Sequence, residues 1–257
     1  MDRRAFSICQ RVVLAGLIVV LVGACRPAQK EASPAASPTH VPTPTATHEP
    51  TATPSPEPAA APSWEPAECK FFGPQSWKCG YLVVPEDRTQ PESRMIRLYA
   101  VVVPAASDNP KPDPLVFLSG GPGAPAVVAV DHYRGLLGTM LQERDLVAFD
   151  QRGVGLSEPA LDCPEYEEAV LETYGADVGS EEARQRMFDA MRACRDRLME
   201  EGVNLSAYTS AASAADVHDL MEALGYDRYN LYGGSYGTRL ALTIMRDYPD
   251  EVRSAVL

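Results

Sequence analysis

The sequence is short of positive charge, of histidine and of long apolar runs. Its 257 residues carry 23 Lys and Arg against 35 Asp and Glu, a net charge of −12, and contain four histidines. The first 24 residues contribute +2, so the remainder of the chain carries −14. Because a phosphate backbone repels such a surface, the composition excludes nucleic-acid binding through a basic face.

The longest apolar run covers residues 12–22, and these eleven residues are preceded by Arg3, Arg4 and Arg11. At about 1.5 Å per residue the run cannot cross a hydrocarbon core of about 30 Å, so it predicts a signal peptide over residues 1–24. The sequence Leu-Val-Gly-Ala-Cys at residues 21–25 resembles a bacterial lipobox. It predicts a lipid anchor at Cys25 and an extracytoplasmic location for the protein, on a bacterial membrane or cell surface. An ordinary signal peptide is the alternative, and Sec and twin-arginine export both stay open.

Large apolar side chains are almost absent from residues 25–63, where ten of the 39 residues are proline. Such a composition predicts a disordered, extended linker that holds a domain away from the membrane. His40 and His48 lie in it and are expected to be solvated. The remaining residues, 64–257, are enough for one mid-sized domain.

Cysteine is also scarce, and the six cysteines separate by position. Cys9 falls in the signal segment and Cys25 at the lipobox, which leaves four in the exported domain: Cys69, Cys79, Cys163 and Cys194. An even number in an oxidising compartment indicates two disulfides, for which three connectivities are possible. We favour the two pairs that close local loops, Cys69 with Cys79 and Cys163 with Cys194. A zinc site is the alternative, but the spacing lacks Cys-x-x-Cys, so no metal is predicted.

Strands and helices alternate along the predicted domain. Residues 80–84 and 95–103 are rich in β-branched and aromatic residues and predict a hairpin. Short, mostly apolar runs predict strands buried on both faces, at residues 115–118, 146–149, 229–232 and 254–257. Helices are expected at residues 181–201 after a Ser180 cap, from a capping box at residues 213–216 to Gly225, and at residues 236–247. This alternation predicts an α/β fold whose sites lie at the carboxyl ends of the strands.

The run Gly-Gly-Ser-Tyr-Gly, residues 233–237, joins a predicted buried strand to a predicted helix. The bare Gly-x-Ser-x-Gly pattern is weak evidence, but this placement is not. Such a turn strains its central residue, and Gly233 and Gly237 on either side let strand and helix approach. Ser235 is therefore predicted to be a nucleophile whose hydroxyl lies near the positive end of the following helix. A plain connecting turn is the alternative.

A second glycine-rich loop, Ser-Gly-Gly-Pro-Gly at residues 119–123, follows another predicted strand. Nucleophilic attack on a carbonyl develops an oxyanion, which needs preorganised backbone N–H donors that can approach closely. We expect the N–H groups of Gly121 and Tyr236 to form this oxyanion hole, with Gly120 beside it. A flexible turn is the alternative.

The third loop, Asp-Gln-Arg-Gly-Val-Gly-Leu-Ser at residues 150–157, lacks both the Gly-x-Gly-x-x-Gly spacing and a following Lys-Ser/Thr. A nucleotide site is therefore not expected, and no cofactor is predicted. Asp150 and Arg152 are predicted to form a structural ion pair or a hydrogen-bond hub below the site. A role in substrate binding is the alternative.

In order and spacing, the three loops resemble those of the α/β-hydrolase family of prolyl iminopeptidases and the secreted tripeptidyl aminopeptidases of bacteria. The resemblance runs from about residue 69 to residue 257 and includes Cys-Gly-Tyr-Leu-Val-Val-Pro-Glu-Asp at residues 79–87. Ser119 stands where many relatives have His. The resemblance implies an α/β-hydrolase fold, with a mostly parallel sheet flanked by helices. It also implies a serine exopeptidase that acts on peptide N-termini through an acyl-enzyme on Ser235.

A base and an acid for Ser235 are missing from the positions where this fold supplies them. Both should follow the serine in the chain, yet none of the 22 residues after Ser235 is a histidine. His132 is expected on the surface, with an approach to the substrate as the alternative, and His218 is expected to be solvated. The acidic residues of the segment are expected to point away from the site: Asp247, Asp250 and Glu251.

Residues 254–257 stop inside an apolar run. We therefore expect a fold that is incomplete at the C-terminus, belonging to a longer protein that supplies the acid, the histidine and a lid, and we expect the fragment to be inactive alone. The favoured function is an exported serine aminopeptidase of prolyl or tripeptidyl type, with peptides as substrates. An esterase or another α/β-hydrolase activity is the runner-up. A non-catalytic lipoprotein binding module is the alternative if the chain is complete.

Overall fold

The computed structural model describes residues 61–70, 74, 76–174 and 180–257. The predicted signal peptide, Cys25 and nearly all of the predicted linker lie outside these residues. Among the helices within the described ranges, none combines the length and the apolar character that crossing a bilayer requires.

Seven strands of the described residues form one sheet. Their bounds are β1 Ser63–Ala67, β2 Lys78–Pro85, β3 Met95–Val103, β4 Leu115–Leu118, β5 Leu146–Phe149, β6 Tyr229–Gly233 and β7 Val252–Val256. They lie side by side in the order β1-β2-β3-β5-β4-β6-β7. Strands β5, β4, β6 and β7 are parallel neighbours, while β1, β2 and β3 join the sheet through antiparallel pairs. The predicted hairpin and the predicted parallel strands are therefore present. The prediction that the strand at residues 254–257 is buried on both faces is wrong, because β7 is the last of the described strands in the sheet, and Val256 and Leu257 are 48% and 53% exposed.

The short strands β4 and β5 are apolar throughout because both of their faces are buried. Alternate side chains point to opposite faces of a strand. Val116 and Leu118 of β4 lie in one core cluster, while Leu115 and Phe117 lie in the other. Each face of the sheet is covered, so every residue of these strands is buried.

Five α-helices are described: α1 Val130–Leu136, α2 Pro164–Thr173, α3 Glu181–Glu200, α4 Ser210–Leu224 and α5 Tyr236–Asp247. Helix α3 begins after the predicted Ser180 cap, whose side chain accepts from the Ala183 N–H, and α5 has its predicted bounds. Helix α4 ends at Leu224, and the predicted stop, Gly225, is its C-cap in a left-handed conformation with φ of 81°. The sequence did not predict α1 or α2.

The predicted start of α4 is wrong. Thr209 is its N-cap and accepts from the Ala212 N–H, so the helix begins at Ser210. Ala211 and Ala212 are strong helix formers that extend it beyond the supposed capping box. Asp216, placed in that box by the sequence, lies inside the helix and is fully buried.

Strand β1 was also not predicted, and it begins at Ser63, one residue before the expected domain boundary. It pairs antiparallel with β2. The indole of Trp64 lies across Gly80, where an added Cβ would be 2.4 Å from the Trp64 ring. Trp64 also packs against the core. Gly80 therefore makes room for the side chain that anchors this edge strand.

Both favoured disulfides are present. Cys69 is bonded to Cys79, and Cys163 is bonded to Cys194. The second bond joins the N-cap of α2 to the buried face of α3. It fixes the loop after β5 to α3, through two cysteines that are 31 residues apart in the chain.

Candidate active site

Ser235 lies in the turn between β6 and α5. Its backbone has φ of 53° and ψ of −122°, and of the non-glycine residues that the structure describes it alone has a positive φ. Such a conformation costs of the order of 1–3 kcal/mol, and it persists only where the surrounding structure imposes it. Ser235 is exposed. The sequence prediction of a strained, accessible serine is therefore matched by its geometry.

The glycines of this turn are required by close backbone contacts. A Cβ on Gly237 would lie 2.1 Å from the carbonyl oxygen of Leu118, and one on Gly233 would lie 2.6 Å from the carbonyl oxygen of Gly237. Gly234, by contrast, has open space at its Cβ position. Packing therefore requires glycine at residues 233 and 237 but not at residue 234, because α5 lies directly against β4 and β6.

The glycine loop after β4 meets Ser235. A Cβ on Gly120 would lie 3.1 Å from the Ser235 Cβ and 3.6 Å from its hydroxyl oxygen. Gly121 follows with φ of 105°, which favours glycine. Tyr236 is the first residue of α5, where backbone N–H groups have no intrahelical acceptor. Both expected oxyanion donors therefore belong to the segments that meet at Ser235, and their role stays a prediction.

Asp150 and Arg152 do not form the predicted ion pair with each other. Asp150 is fully buried. Its carboxylate accepts hydrogen bonds from the backbone N–H groups of Ala126, Val127 and Leu156, at 2.7, 2.9 and 2.9 Å. Burial raises the pKa of the Asp150 carboxyl, and these three hydrogen bonds oppose the rise. The alternative that Asp150 is a hydrogen-bond hub is the one that the contacts fit.

Arg152 forms its ion pair with Asp216 of α4 instead. Its Nε and Nη2 donate to the two carboxylate oxygens at 2.7 Å each, and its Nη1 donates to the carbonyl oxygens of Glu86 and Ala207. Arg88 donates to the same carboxylate at 2.7 Å. The Arg152 fork fits the two oxygens of a carboxylate, and those of Asp150 already accept three backbone N–H groups. No local pattern points to Asp216 beyond its place in a predicted helix.

Neither histidine of the described residues contacts Ser235. His132 is exposed on α1, as expected, with its ring edge-on to Tyr133. His218 was expected to be solvated, which is wrong: it is half-buried, its Nδ1 lies 2.7 Å from Glu251 Oε1, and it stacks on Tyr248. Glu251 also accepts from the Tyr229 hydroxyl. Within the described residues, no hydrogen bond is made to the Ser235 hydroxyl.

One group of side chains in the described ranges has the spacing to hold a cation: His218, Asp219 and Glu222. The Asp219 oxygen is already 2.5 Å from the Arg88 guanidinium. A positive charge at that distance disfavours a metal ion, so the group is better described as part of the ion-pair network.

The chain is similar to several known proteins. The family model described as alpha/beta hydrolase fold matches residues 113–257. Serine protease Hip1 of Mycobacterium tuberculosis (strain ATCC 25618 / H37Rv) is 31% identical over 188 residues, which cover 70% of this chain and 35% of that protein. Tripeptidyl aminopeptidase of Streptomyces lividans is 30% identical over 190 residues, covering 72% of this chain and 35% of that protein.

Among solved structures, a proline iminopeptidase-related protein from Thermus thermophilus is 26% identical, with a TM-score of 0.41. The match covers 70% of this chain and 44% of that one. The chain spans about a third of the length of the curated relatives that it matches, 35% in both cases.

Proposed function

We propose, from the premise that the chain belongs to the α/β-hydrolase family, that it carries the nucleophile of an exported serine aminopeptidase of prolyl or tripeptidyl type. One observation carries the proposal: Ser235 is exposed, is held at φ of 53° between β6 and α5, and faces the glycine loop. The aminopeptidase type is supported by the name of a relative that is about 30% identical.

In this reaction the Ser235 Oγ attacks the carbonyl carbon of the scissile bond and gives its proton to a general base. The resulting oxyanion accepts from the N–H groups of Gly121 and Tyr236. Collapse of this intermediate expels the new peptide N-terminus, which takes a proton from the conjugate acid of the base. Water then hydrolyses the acyl-enzyme and releases the N-terminal residue or tripeptide. Preorganised N–H donors of this kind are each worth about 10²–10³ in kcat.

We assign the base and the carboxylate that orients it to parts of the protein outside the described residues. The reason is geometric. His218 is engaged with Glu251 and Tyr248, and His132 is exposed on α1. On this account residues 61–257 alone lack hydrolase activity.

Export and a lipid anchor at Cys25 complete the proposal. The lipobox-like sequence supports the anchor, and two disulfides are typical of an oxidising compartment. We expect the protein in the membrane fraction and Cys25→Ser in the soluble fraction. Wild-type protein in the soluble fraction would contradict the anchor.

The activity is tested with aminoacyl and tripeptidyl anilides beside short acyl esters, using the full-length protein and its Ser235→Ala variant. Release of the anilide by the wild type and its loss in the variant are expected. Hydrolysis of the esters alone would favour the runner-up, an esterase, since the same attack serves an ester.

A non-catalytic binding module is the second candidate, because no described residue hydrogen-bonds the Ser235 hydroxyl. It requires residues 64–257 to unfold cooperatively as a soluble domain and the full-length protein to be inert to every substrate in the panel. Turnover that depends on Ser235 excludes it.

A further inference from the structure

The glycine loop that faces Ser235 is held at both of its ends by two adjacent side chains. At its start, the Ser119 carbonyl oxygen accepts from Gln151 Nε2 at 3.3 Å. At its end, the N–H groups of Ala126 and Val127 donate to Asp150 Oδ1 at 2.7 and 2.9 Å. The segment between these bonds includes Gly120, which lies against Ser235.

Asp150 is itself fixed in position. Its backbone N–H donates to the Tyr99 carbonyl on β3, and its carbonyl accepts from the buried Ser157 hydroxyl. Its second carboxylate oxygen accepts from the Leu156 N–H. Both Asp150 and Gln151 are buried, so these bonds are shielded from competing water.

We propose that Asp150 and Gln151 are positioning residues for the reaction of Ser235, which rests on the function proposed above. They act through the glycine loop and touch no reacting atom. By fixing residues 119 and 126–127 to the end of β5, they hold the Gly121 N–H where the oxyanion forms. A displacement of about 1 Å in such a group can cost about 10²-fold in rate.

The chemistry of this hub requires a carboxylate. Three backbone N–H groups converge on Asp150, and an ionised carboxylate is a pure acceptor with about four lone-pair sites. An asparagine has one acceptor oxygen, and its NH₂ group would face at least one of these N–H donors. Gly155 supplies the space, because a Cβ there would lie 2.3 Å from Asp150 Oδ2.

The test compares Asp150→Asn and Gln151→Met with a matched control, Asp113→Asn, in the full-length protein. Asp113 is also a buried carboxylate with three donors, Arg144, Asn230 and Arg253, but it precedes β4, at the opposite end of the strand from the glycine loop. Two quantities are measured: hydrogen exchange of residues 119–127 by mass spectrometry, and the rate at which a fluorophosphonate labels Ser235.

We expect both test variants to speed exchange of residues 119–127 about tenfold or more relative to the wild type. Gln151→Met removes the bond to the Ser119 carbonyl, and Asp150→Asn sets an NH₂ group against at least one of the three N–H donors, which displaces the side chain that anchors the loop. We expect labelling to slow about tenfold or more, because the oxyanion donor is displaced. The control should leave both quantities within about twofold of the wild type. Gln151→Met decides the matter if Asp150→Asn does not fold.

Unchanged loop exchange in a folded test variant overturns the proposal, and so does an equal effect of Asp113→Asn, which would mean general destabilisation. If the fluorophosphonate does not label the wild-type protein, the proposed function is wrong. The hydrogen-exchange measurement still shows whether Asp150 and Gln151 hold the glycine loop in place.

Discussion

The α-carbon of Gly237 lies against the carbonyl of Leu118, so close that an added Cβ would be 2.1 Å from the carbonyl oxygen. The contact brings the start of α5 onto the end of β4. Since the glycine loop begins directly after Leu118, the same contact brings that loop to Ser235. The turn around Ser235 and the glycine loop therefore depend on each other's position.

The first prediction concerns two glycines of the turn around Ser235. Gly237→Ala forces the backbones of α5 and β4 apart and should cost about 1–3 kcal/mol or more of unfolding free energy. Gly234→Ala is the control, because its Cβ position is open, and it should change the free energy by less than about 1 kcal/mol. Urea unfolding measures both, and equal costs would contradict the packing described here.

The second prediction separates the hydroxyl of Ser235 from its backbone strain. Ser235→Ala removes the hydroxyl of the proposed nucleophile and keeps a Cβ at φ of 53°. Ser235→Gly removes both, and glycine adopts this conformation without a steric clash. We expect the glycine variant to be more stable than the alanine variant by about 1 kcal/mol, with both inactive. Thermal unfolding checks this, and a glycine variant that melts at or below the alanine variant would rule out stored strain.

The third prediction concerns the buried pair of Arg152 and Asp216, whose side chains are 1% and 0% exposed. Asp216→Ala leaves Arg152 buried without its counter-ion and should cost about 3–5 kcal/mol. Asp189→Ala breaks an exposed pair with Arg192 on α3 and should cost at most about 1 kcal/mol. Chemical denaturation of the two variants gives the comparison. A loss of similar size in both would show that the buried pair contributes no more than a surface pair.

The fourth prediction is a pH dependence due to Asp113. Burial raises the pKa of Asp113, but hydrogen bonds from Asn230, Arg144 and Arg253 outweigh burial and hold the pKa at about 2. Because the folded pKa is below the unfolded value, the stabilisation is full above about pH 4 and is lost as the pH falls towards 2. The difference is worth about 2 kcal/mol.

Asp113→Asn removes this titration. The unfolding free energy of the wild type should therefore fall by about 2 kcal/mol more than that of the variant between about pH 4 and pH 2. Parallel curves for the two proteins across this window would show that Asp113 does not titrate as described.

The sequence predicted the elements whose signal is local. The apolar runs of β4 and β5 and the glycines around Ser235 can each be recognised within a few residues. The cysteines of the two disulfides are 10 and 31 residues apart, and a preference for local loops was enough to pair them. Gly225 and Ser180 likewise mark helix ends through their own backbone preferences. These features needed no knowledge of what packs against them.

Apart from the start of α4, the errors concern contacts between distant parts of the chain. Arg152 pairs with Asp216, 64 residues away, and His218 with Glu251, 33 residues away. Charge alone gives no preference among many possible partners, since the choice depends on which helix faces which loop. Strand β1 was missed because its pairing depends on the space above Gly80, which no local pattern in residues 63–67 reveals.

The most direct test of the central claim is covalent labelling of the full-length protein with a fluorophosphonate, followed by peptide mass spectrometry. We predict one phosphonate on Ser235, and no labelling of Ser235→Ala. A wild-type protein that stays unlabelled, or a label on another residue that persists in Ser235→Ala, would contradict the assignment of Ser235 as the nucleophile.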